Sequence, residues 1–271
     1  MPPLYPKMRE RPEEFRINYD APLAEGLVFA GLGGHGCVGS MVYPDSSLYA
    51  NHGKLTNMDA ATDWVWSPEL QRWMREHVES IPSQHVALTW TIDLGTLHTI
   101  AGWLNGYYDG NICGSPYDAV GASSVWVDSR SGTCTYAAQG WNVTYSELTY
   151  PTGWTHLAVT RIPNKVELFL NGKSYGAKDM TGTARVFKLV NLGAATLNNW
   201  RDWNGGLGDE CAWTRVLSAS EISALADPSN VDLRVSGVPL ILPPRRRFWP
   251  VVSEQAIPKM VPWHLFQHIG V

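Results

Sequence analysis

The stretch GWTHLAVTRIPNKVELFLNGK, residues 153–173, decides how the rest of the chain is read. Over residues 154–161 Leu157 and Val159 alternate with polar neighbours, and over 165–172 Val166, Leu168 and Leu170 alternate against Lys165 and Glu167. A period of two is that of a half-buried strand, and Pro163-Asn164 between the runs is a turn, so the segment predicts a β-hairpin. Asn171-Gly172 is a second turn signal because both residues tolerate positive φ. The chain is therefore expected to reverse again into KSYGAK, making a meander with Leu157, Val159, Val166, Leu168 and Leu170 buried.

Working outward, further short strands are expected at residues 87–94, 99–105, 123–129, 186–194 and 209–217, separated by turn residues. Many short strands predict an all-β, two-sheet antiparallel sandwich of roughly 200 residues in one domain. The segment SPELQRWMREHVES, residues 67–80, is ambiguous: a serine before a proline and apolar residues at helical spacing follow the rules for a helix.

The sandwich ends on GGLGDECAWTRVLSASEISAL, residues 205–225. Ser218 and Glu221 form an S-x-x-E capping box, so a short helix is expected to begin near Ala219. Ile222 and Leu225 give it an apolar stripe, and Asp227-Pro228 stops it after about two turns, too short to be stable alone. It must lie against something larger.

Composition bounds the rest. A chain of 271 residues with 44% hydrophobic and 17% charged positions is globular, and a net charge of −4 provides no global field for nucleic acid or acidic membrane. The N-terminal MPPLYPKMRERPEEF lacks the apolar run of a secretory signal, and no stretch has bilayer-spanning length, so neither leader nor anchor is expected. Cys37, Cys113, Cys134 and Cys211 make no C-x-x-C pair and are expected to be free thiols. Of 18 prolines, five fall in residues 1–22 and seven in 228–271. Proline removes a ladder donor, so both ends are read as arms outside the sheets. The expected division is an N-terminal arm at 1–19, a sandwich at 20–228 and an extended C-terminal arm at 229–271.

The ordered set GWTHLAVTR, VELFLNGK, LVNLGA and GGLGDECAWTRVLSASEISAL resembles the laminin-G-like, concanavalin-A-like jelly rolls. Their pattern runs from a tryptophan-histidine strand through a "lyvnG" hairpin, an "iG" strand and a "G-x-iDE" strand to a closing "Ls-x-x-Ei" helix. The resemblance covers about residues 20–228. It implies that the helix packs on the rim or convex side of the sandwich, that His156 is structural, and that residues 72–79 form a strand; we adopt the strand. Asp45 to Leu55 follow the family's "DsSgxxnhG" segment, and the long run NHGKLTNMDAATDWV looks like those of laminin-G-like proteins from tailed phages and prophages.

Enzymatic readings find little in the residues. GLGGHG, residues 31–36, fits G-x-G-x-x-G after an apolar run, but Gly39 and Pro44 stand where a helix must run and no βαβ pattern follows, so it is read as a turn. Glucan-hydrolysing members of the superfold carry an E-x-D-x-E or E-x-D-x-x-E array on one strand, and this chain has none. Asp209 and Glu210 are adjacent and expected on opposite faces, and no nucleophile elbow or metal-ligand spacing occurs. No enzymatic activity and no catalytic residue are expected.

Binding is the remaining class. NNWRDWNGG, residues 198–206, places Trp200, Arg201, Asp202 and Trp203 in a polar loop suited to a sugar face or a protein partner, unless the rings fold back as a plug. NGYYDGN offers Tyr107 and Tyr108. Calcium is common in the family the chain resembles; Asp109, Asn111 and Asp209 are the candidate ligands, no other cofactor is implied, and no ligand set is fixed. In the C-terminal arm Phe248, Trp249, Trp263 and Phe266 are expected to anchor on a neighbouring subunit while Arg245, Arg246 and Arg247 meet its acidic groups. These features point to a non-catalytic virion structural protein, a capsid-decoration or other particle-surface component. It is expected to assemble in the host cytoplasm with other virion proteins and copies of itself, and to meet a host-surface glycan without membrane or nucleic-acid contact. The alternatives are a carbohydrate-binding or adhesion module and, behind it, a glycanase.

Overall fold

The computed structural model describes residues 17–32, 39–78, 84–106, 109–115, 123–139, 141–180, 185–194 and 203–229. Among them the chain forms β1 (Leu27–Gly31), β2 (Val42–Tyr43), β3 (Gly53–Thr56), β4 (Trp64–Ser67), β5 (Arg72–His77), β6 (His85–Asp93), β7 (His98–Asn105) and β8 (Asp109–Ser115). There follow β9 (Ser123–Asp128), β10 (Thr133–Ala138), β11 (Trp141–Tyr145), β12 (Thr155–Ile162), β13 (Lys165–Leu170), β14 (Lys173–Asp179), β15 (Lys188–Leu192), β16 (Gly205–Trp213) and the helix α1 (Ala219–Leu225).

The strands make two antiparallel sheets of eight. One runs β14-β13-β12-β7-β16-β5-β4, with β1 also on β16; the other runs β11-β10-β9-β8-β15-β6-β3-β2. They stack as a jelly-roll sandwich. Across the interlayer the Tyr43 and Trp64 rings stack at 5.8 Å, and the Tyr145 hydroxyl donates to the Val166 carbonyl at 2.6 Å.

The deciding hairpin stands as read. Leu157 faces Leu170 and Val159 faces Leu168 between β12 and β13, and these residues and Val166 lie in the interlayer core. Asn171 and Gly172 both take positive φ, 47° and 76°, and turn the chain into β14. Gly172 has a second role: a Cβ there would come within 3.0 Å of the Ser223 Cα, so its absence lets α1 sit on the turn. The ambiguous segment is a strand from Arg72 to His77, paired with β4 through a turn in which Gln71 takes φ 51°. Pairing with β4 and β16 supplies every turn of this segment with partners that outweigh its local helix preference.

The capping box forms in full: the Ser218 hydroxyl accepts from the Glu221 N–H at 3.3 Å and the Glu221 carboxylate accepts from the Ser218 N–H at 2.7 Å. Ile222 is buried with Trp213, Phe169, Ala101, Ala158 and Leu217, a cluster distinct from the interlayer core. The helix therefore closes the outer face of the first sheet. Arg215 bridges from it, donating to Glu221 at 2.6 Å and to the Pro22 carbonyl at 2.8 Å, and the guanidinium holds the Glu221 carboxyl down to about 2. Among the described residues no helix is long and apolar enough to cross a membrane.

Candidate functional site

Two buried ion pairs close a seam in the first sheet. The N-terminal part of β16 pairs with β5 and its C-terminal part with β1, and the change occurs around Asp209, where a bulge against β7 puts φ at 50°. Asp209 and Glu210 leave this bulge to different sides. Asp209 takes Arg72, whose guanidinium also donates to the Pro228 carbonyl at 2.9 Å. Glu210 points into the interlayer, where it pairs with Arg75 and accepts from the Tyr43 hydroxyl at 2.5 Å. Arg75 lies over the Tyr43 ring at 4.7 Å and contacts His77 Nε2 at 3.1 Å. The His77 Nδ1–H donates to the Gln84 carbonyl, so Nε2 accepts from Arg75, and burial with the Arg75 charge holds His77 neutral. Each carboxylate thus has an arginine against it and its partner on the opposite face of the sheet. This geometry gives no pair of facing acids across a cleft.

His156 lies on the outer face, edge-on to the Trp103 ring at 5.2 Å, and burial lowers it to about 3. It is a neutral packing residue. Cys113, Cys134 and Cys211 are buried, and burial pushes the Cys134 thiol up to about 12 and Cys113 higher still. Such thiols are unreactive.

Of the loop expected to bind ligand, Trp203 is described and the reading of it as a platform is corrected. Its ring is 2% exposed and packs in the interlayer core, with the indole N–H donating to the Gly206 carbonyl at 3.2 Å. The backbone N–H of Trp203 donates to the Gly193 carbonyl at 2.9 Å, which draws the ring inward over Gly106. Its polar atom is satisfied inside, so the ring plugs the sandwich. Trp200, Arg201, Asp202, Tyr107 and Tyr108 lie outside the described residues, as do Cys37 and the arm residues Arg245, Arg246, Arg247, Phe248, Trp249, Trp263 and Phe266. Of the candidate calcium ligands, the side chain of Asp109 lies outside what is described, Asn111 is buried in β8 of the second sheet, and Asp209 belongs to the first sheet and pairs with Arg72. Among the described residues no group of three His, Cys, Asp or Glu is placed to hold a metal.

An exposed aromatic surface that the sequence did not reveal lies at the other end of the second sheet. Period two through residues 87–94 puts Trp90 in phase with the buried Leu88 and Ile92, yet Trp90 is 49% exposed. The reason is a register jump. Ile92 pairs with Leu189 and Ala87 with Asn191, so β6 carries extra residues against β15 and bulges outward at Trp90. The bulge is held from the β2–β3 side: the Asn51 amide donates to the Trp90 carbonyl at 2.8 Å and accepts from the Trp90 N–H at 3.1 Å. Thr89 adds a hydroxyl bond to the His52 carbonyl at 2.6 Å.

The loop before Asn51 is fixed by one carboxylate. Asp45 accepts from the N–H groups of Ala30, Ser47 and Asn51 and from the Ser47 hydroxyl, at 2.8 to 2.9 Å, and its own N–H donates to His52 Nδ1 at 3.0 Å. Leu48 and Tyr49 stand out from this knot, Tyr49 at 58% exposure. Tyr49 and Trp90 therefore project from one stitched unit of backbone, apolar faces with polar edges on a rigid support. The Asp45–His52 motif was the signal for this loop; the bulge that exposes Trp90 has none beyond its threonine neighbours.

A family model described as the concanavalin A-like lectin/glucanases superfamily matches residues 109–223. No curated protein matches the sequence. Among solved structures, domain 4 of AbnA, an extracellular arabinanase of Geobacillus stearothermophilus solved with arabinotriose, is 16% identical with a TM-score of 0.52, covering 79% of this chain and 100% of that one. The binding domain of Paraclostridial Mosquitocidal Protein 1 is 15% identical with a TM-score of 0.51, covering 75% of this chain and 52% of that one. A Trypanosoma rangeli sialidase in complex with sialic acid is 10% identical with a TM-score of 0.52, covering 74% of this chain and 33% of that one. At these identities the likeness is one of fold, shared by enzymes and by non-enzymatic binding domains. Sequence pattern, sheet order and family match point the same way: residues 109–223 are similar to the concanavalin A-like lectin/glucanases superfamily.

Proposed function

We propose that the chain is a non-catalytic binding protein of a virion surface, whose sandwich takes a carbohydrate on the Tyr49–Trp90 face and whose arms attach it to the particle. The observation that carries the binding reading is Trp90, pushed out of its strand by a bulge and clamped there by Asn51. Exposing an indole that the strand period would bury has a cost, and sugar stacking on the ring gives it a use. The arabinanase domain solved with arabinotriose is in keeping with a sugar ligand. The non-catalytic reading is supported by Asp209 and Glu210, each neutralised by an arginine on its own side of the sheet. The virion reading rests on the phage-like run at residues 51–65 and on the proline- and aromatic-rich arm.

A glycan array probed with the wild-type chain and with Tyr49→Ala/Trp90→Ala tests the binding part. Glycan signals lost in the double variant, at unchanged melting temperature, are the expected result; signals unaffected by it refute this face. Mass spectrometry of purified particles tests the location, and deletion of residues 238–271 tests the arm. A truncated chain that folds but fails to enter particles is expected, and normal incorporation refutes the arm's role.

A further inference from the structure

Among the described residues three arginines are buried in the sandwich, and the fold gives two of them an acid: Arg72 has Asp209 and Arg75 has Glu210. The third, Arg161, is 0% exposed and has no carboxylate within ion-pairing distance among the described residues. It stands next to last in β12 with its side chain in the interlayer, between His98 of β7 and Val166 of β13 in the register. Its partners there form a chain of fixed polarity. The His98 Nδ1–H donates to the Gly95 carbonyl at 3.2 Å, so Nε2 is the acceptor for the Tyr136 hydroxyl at 3.0 Å. The Tyr136 oxygen in turn accepts from Arg161 Nη1 at 3.2 Å. Burial and the nearby Arg161 charge keep His98 neutral, lowered to about 3, so the whole row contributes no negative charge.

The atoms left over are Nε and Nη2, both buried and both without a partner among the described residues. On a guanidinium these two N–H groups point the same way and form the fork that grips both oxygens of a planar oxyanion. A buried cation with that fork unfilled, in a protein that pairs its other buried arginines, lacks an anion that its own described residues do not supply. We propose that Arg161 holds a small carboxylate-class oxyanion, such as formate, acetate or bicarbonate, by a bidentate bond inside the sandwich. Phe187, 5.5 Å from the His98 ring and 5.4 Å from that of Tyr136, contributes an apolar wall that strengthens such a bond by excluding water. The anion enters by local opening and acts as part of the core.

The test uses the full-length protein and sodium formate as the probe. Thermal melts at constant ionic strength, with formate replacing chloride, are expected to show a saturable rise in melting temperature. A crystal structure grown in formate is expected to show a planar ion bonded to Arg161 Nε and Nη2. Arg161→Lys, which keeps the charge and loses the fork, is expected to abolish the formate-specific rise. Equal effects of formate and chloride overturn the proposal, as does a structure in which water or the protein's own chain fills the fork. The wild-type titration and structure decide the matter even if the lysine variant fails to fold.

Discussion

The side-chain amide of Asn51 bonds both backbone groups of Trp90, donating to its carbonyl at 2.8 Å and accepting from its N–H at 3.1 Å. An amide side chain here replaces a neighbouring strand at the one place where β6 has left β15. The two residues are expected to separate under mutation. Trp90→Ala removes a ring that is half exposed and should change stability by no more than about 0.5 kcal/mol, the ordinary range for surface positions, while abolishing glycan binding. Asn51→Ala strips partners from two backbone groups and should cost about 1 to 3 kcal/mol, together with binding. Urea denaturation of both variants beside a binding assay checks the separation; a Trp90→Ala variant as unstable as Asn51→Ala would make the ring structural.

The interlayer core gives the second prediction. Leu168 is fully buried between Val159 and the opposing sheet, and Leu168→Ala is expected to cost about 2 to 5 kcal/mol with the sheet content retained. The same assay on Trp203→Ala should give a loss of about 3 to 5 kcal/mol, as for a core aromatic. A melting temperature unchanged by Trp203→Ala would return that ring to the surface.

These two residues also mark how far the sequence could be read. The Leu168 hairpin was legible because period-two alternation and an Asn-Gly turn are local signals, and the capping box of α1 is local too. Strand against helix at residues 72–77 was settled by pairing to β4 and β16, which no local rule contains. Trp203, which the sequence left open between a platform and a plug, and Trp90, which strand phase alone would bury, were settled by the same kind of contact. A tryptophan in a polar loop turned inward because carbonyls of Gly193 and Gly206 met its two N–H groups, and a tryptophan in strand phase turned outward because the register slipped. Both outcomes depend on partners far along the chain. The acid–arginine pairing at Asp209 and Glu210 joins residues more than 130 positions apart and left no mark on the local pattern.

Stability should fall steeply in mild acid. His98 and His156 are both lowered to about 3 by burial, below the usual 6.5, so between those values the unfolded chain binds protons that the folded chain refuses. Their stabilising contribution is full above about pH 6.5 and is lost as pH falls toward 3, each at about 1.4 kcal/mol per pH unit. Glu221, held to about 2, adds its loss only below its ordinary carboxylate range. Denaturant melts between pH 7 and 5 should therefore be governed by histidine, and His156→Gln should reduce the slope in that window by about 1.4 kcal/mol per pH unit. A slope identical to wild type would mean that His156 charges in the folded state.

The Arg75–Glu210 pair gives a prediction that separates architecture from chemistry. Glu210→Gln alone leaves the Arg75 guanidinium buried without its counter-charge, and Arg75→Met alone strands the carboxylate beside Tyr43; each is expected to cost about 3 to 5 kcal/mol. Removing both charges, as Arg75→Met/Glu210→Leu, fills the same space with apolar atoms. Tyr43 keeps a partner in this variant, because its hydroxyl also bonds the Gly31 carbonyl at 2.5 Å, while His77 Nε2 loses the Arg75 donor. The double variant should therefore recover most of the loss and stay within about 1 to 3 kcal/mol of wild type, the cost of one unpaired buried acceptor. A double-mutant cycle by urea denaturation measures the coupling, and additive losses would show that the two charges do not sustain each other. Glycan binding measured on the same variant adds the functional arm. If the double variant folds and binds as wild type does, the interior carboxylate closes the seam between β1 and β5; if it folds and binding vanishes, the buried pair also supports the binding face.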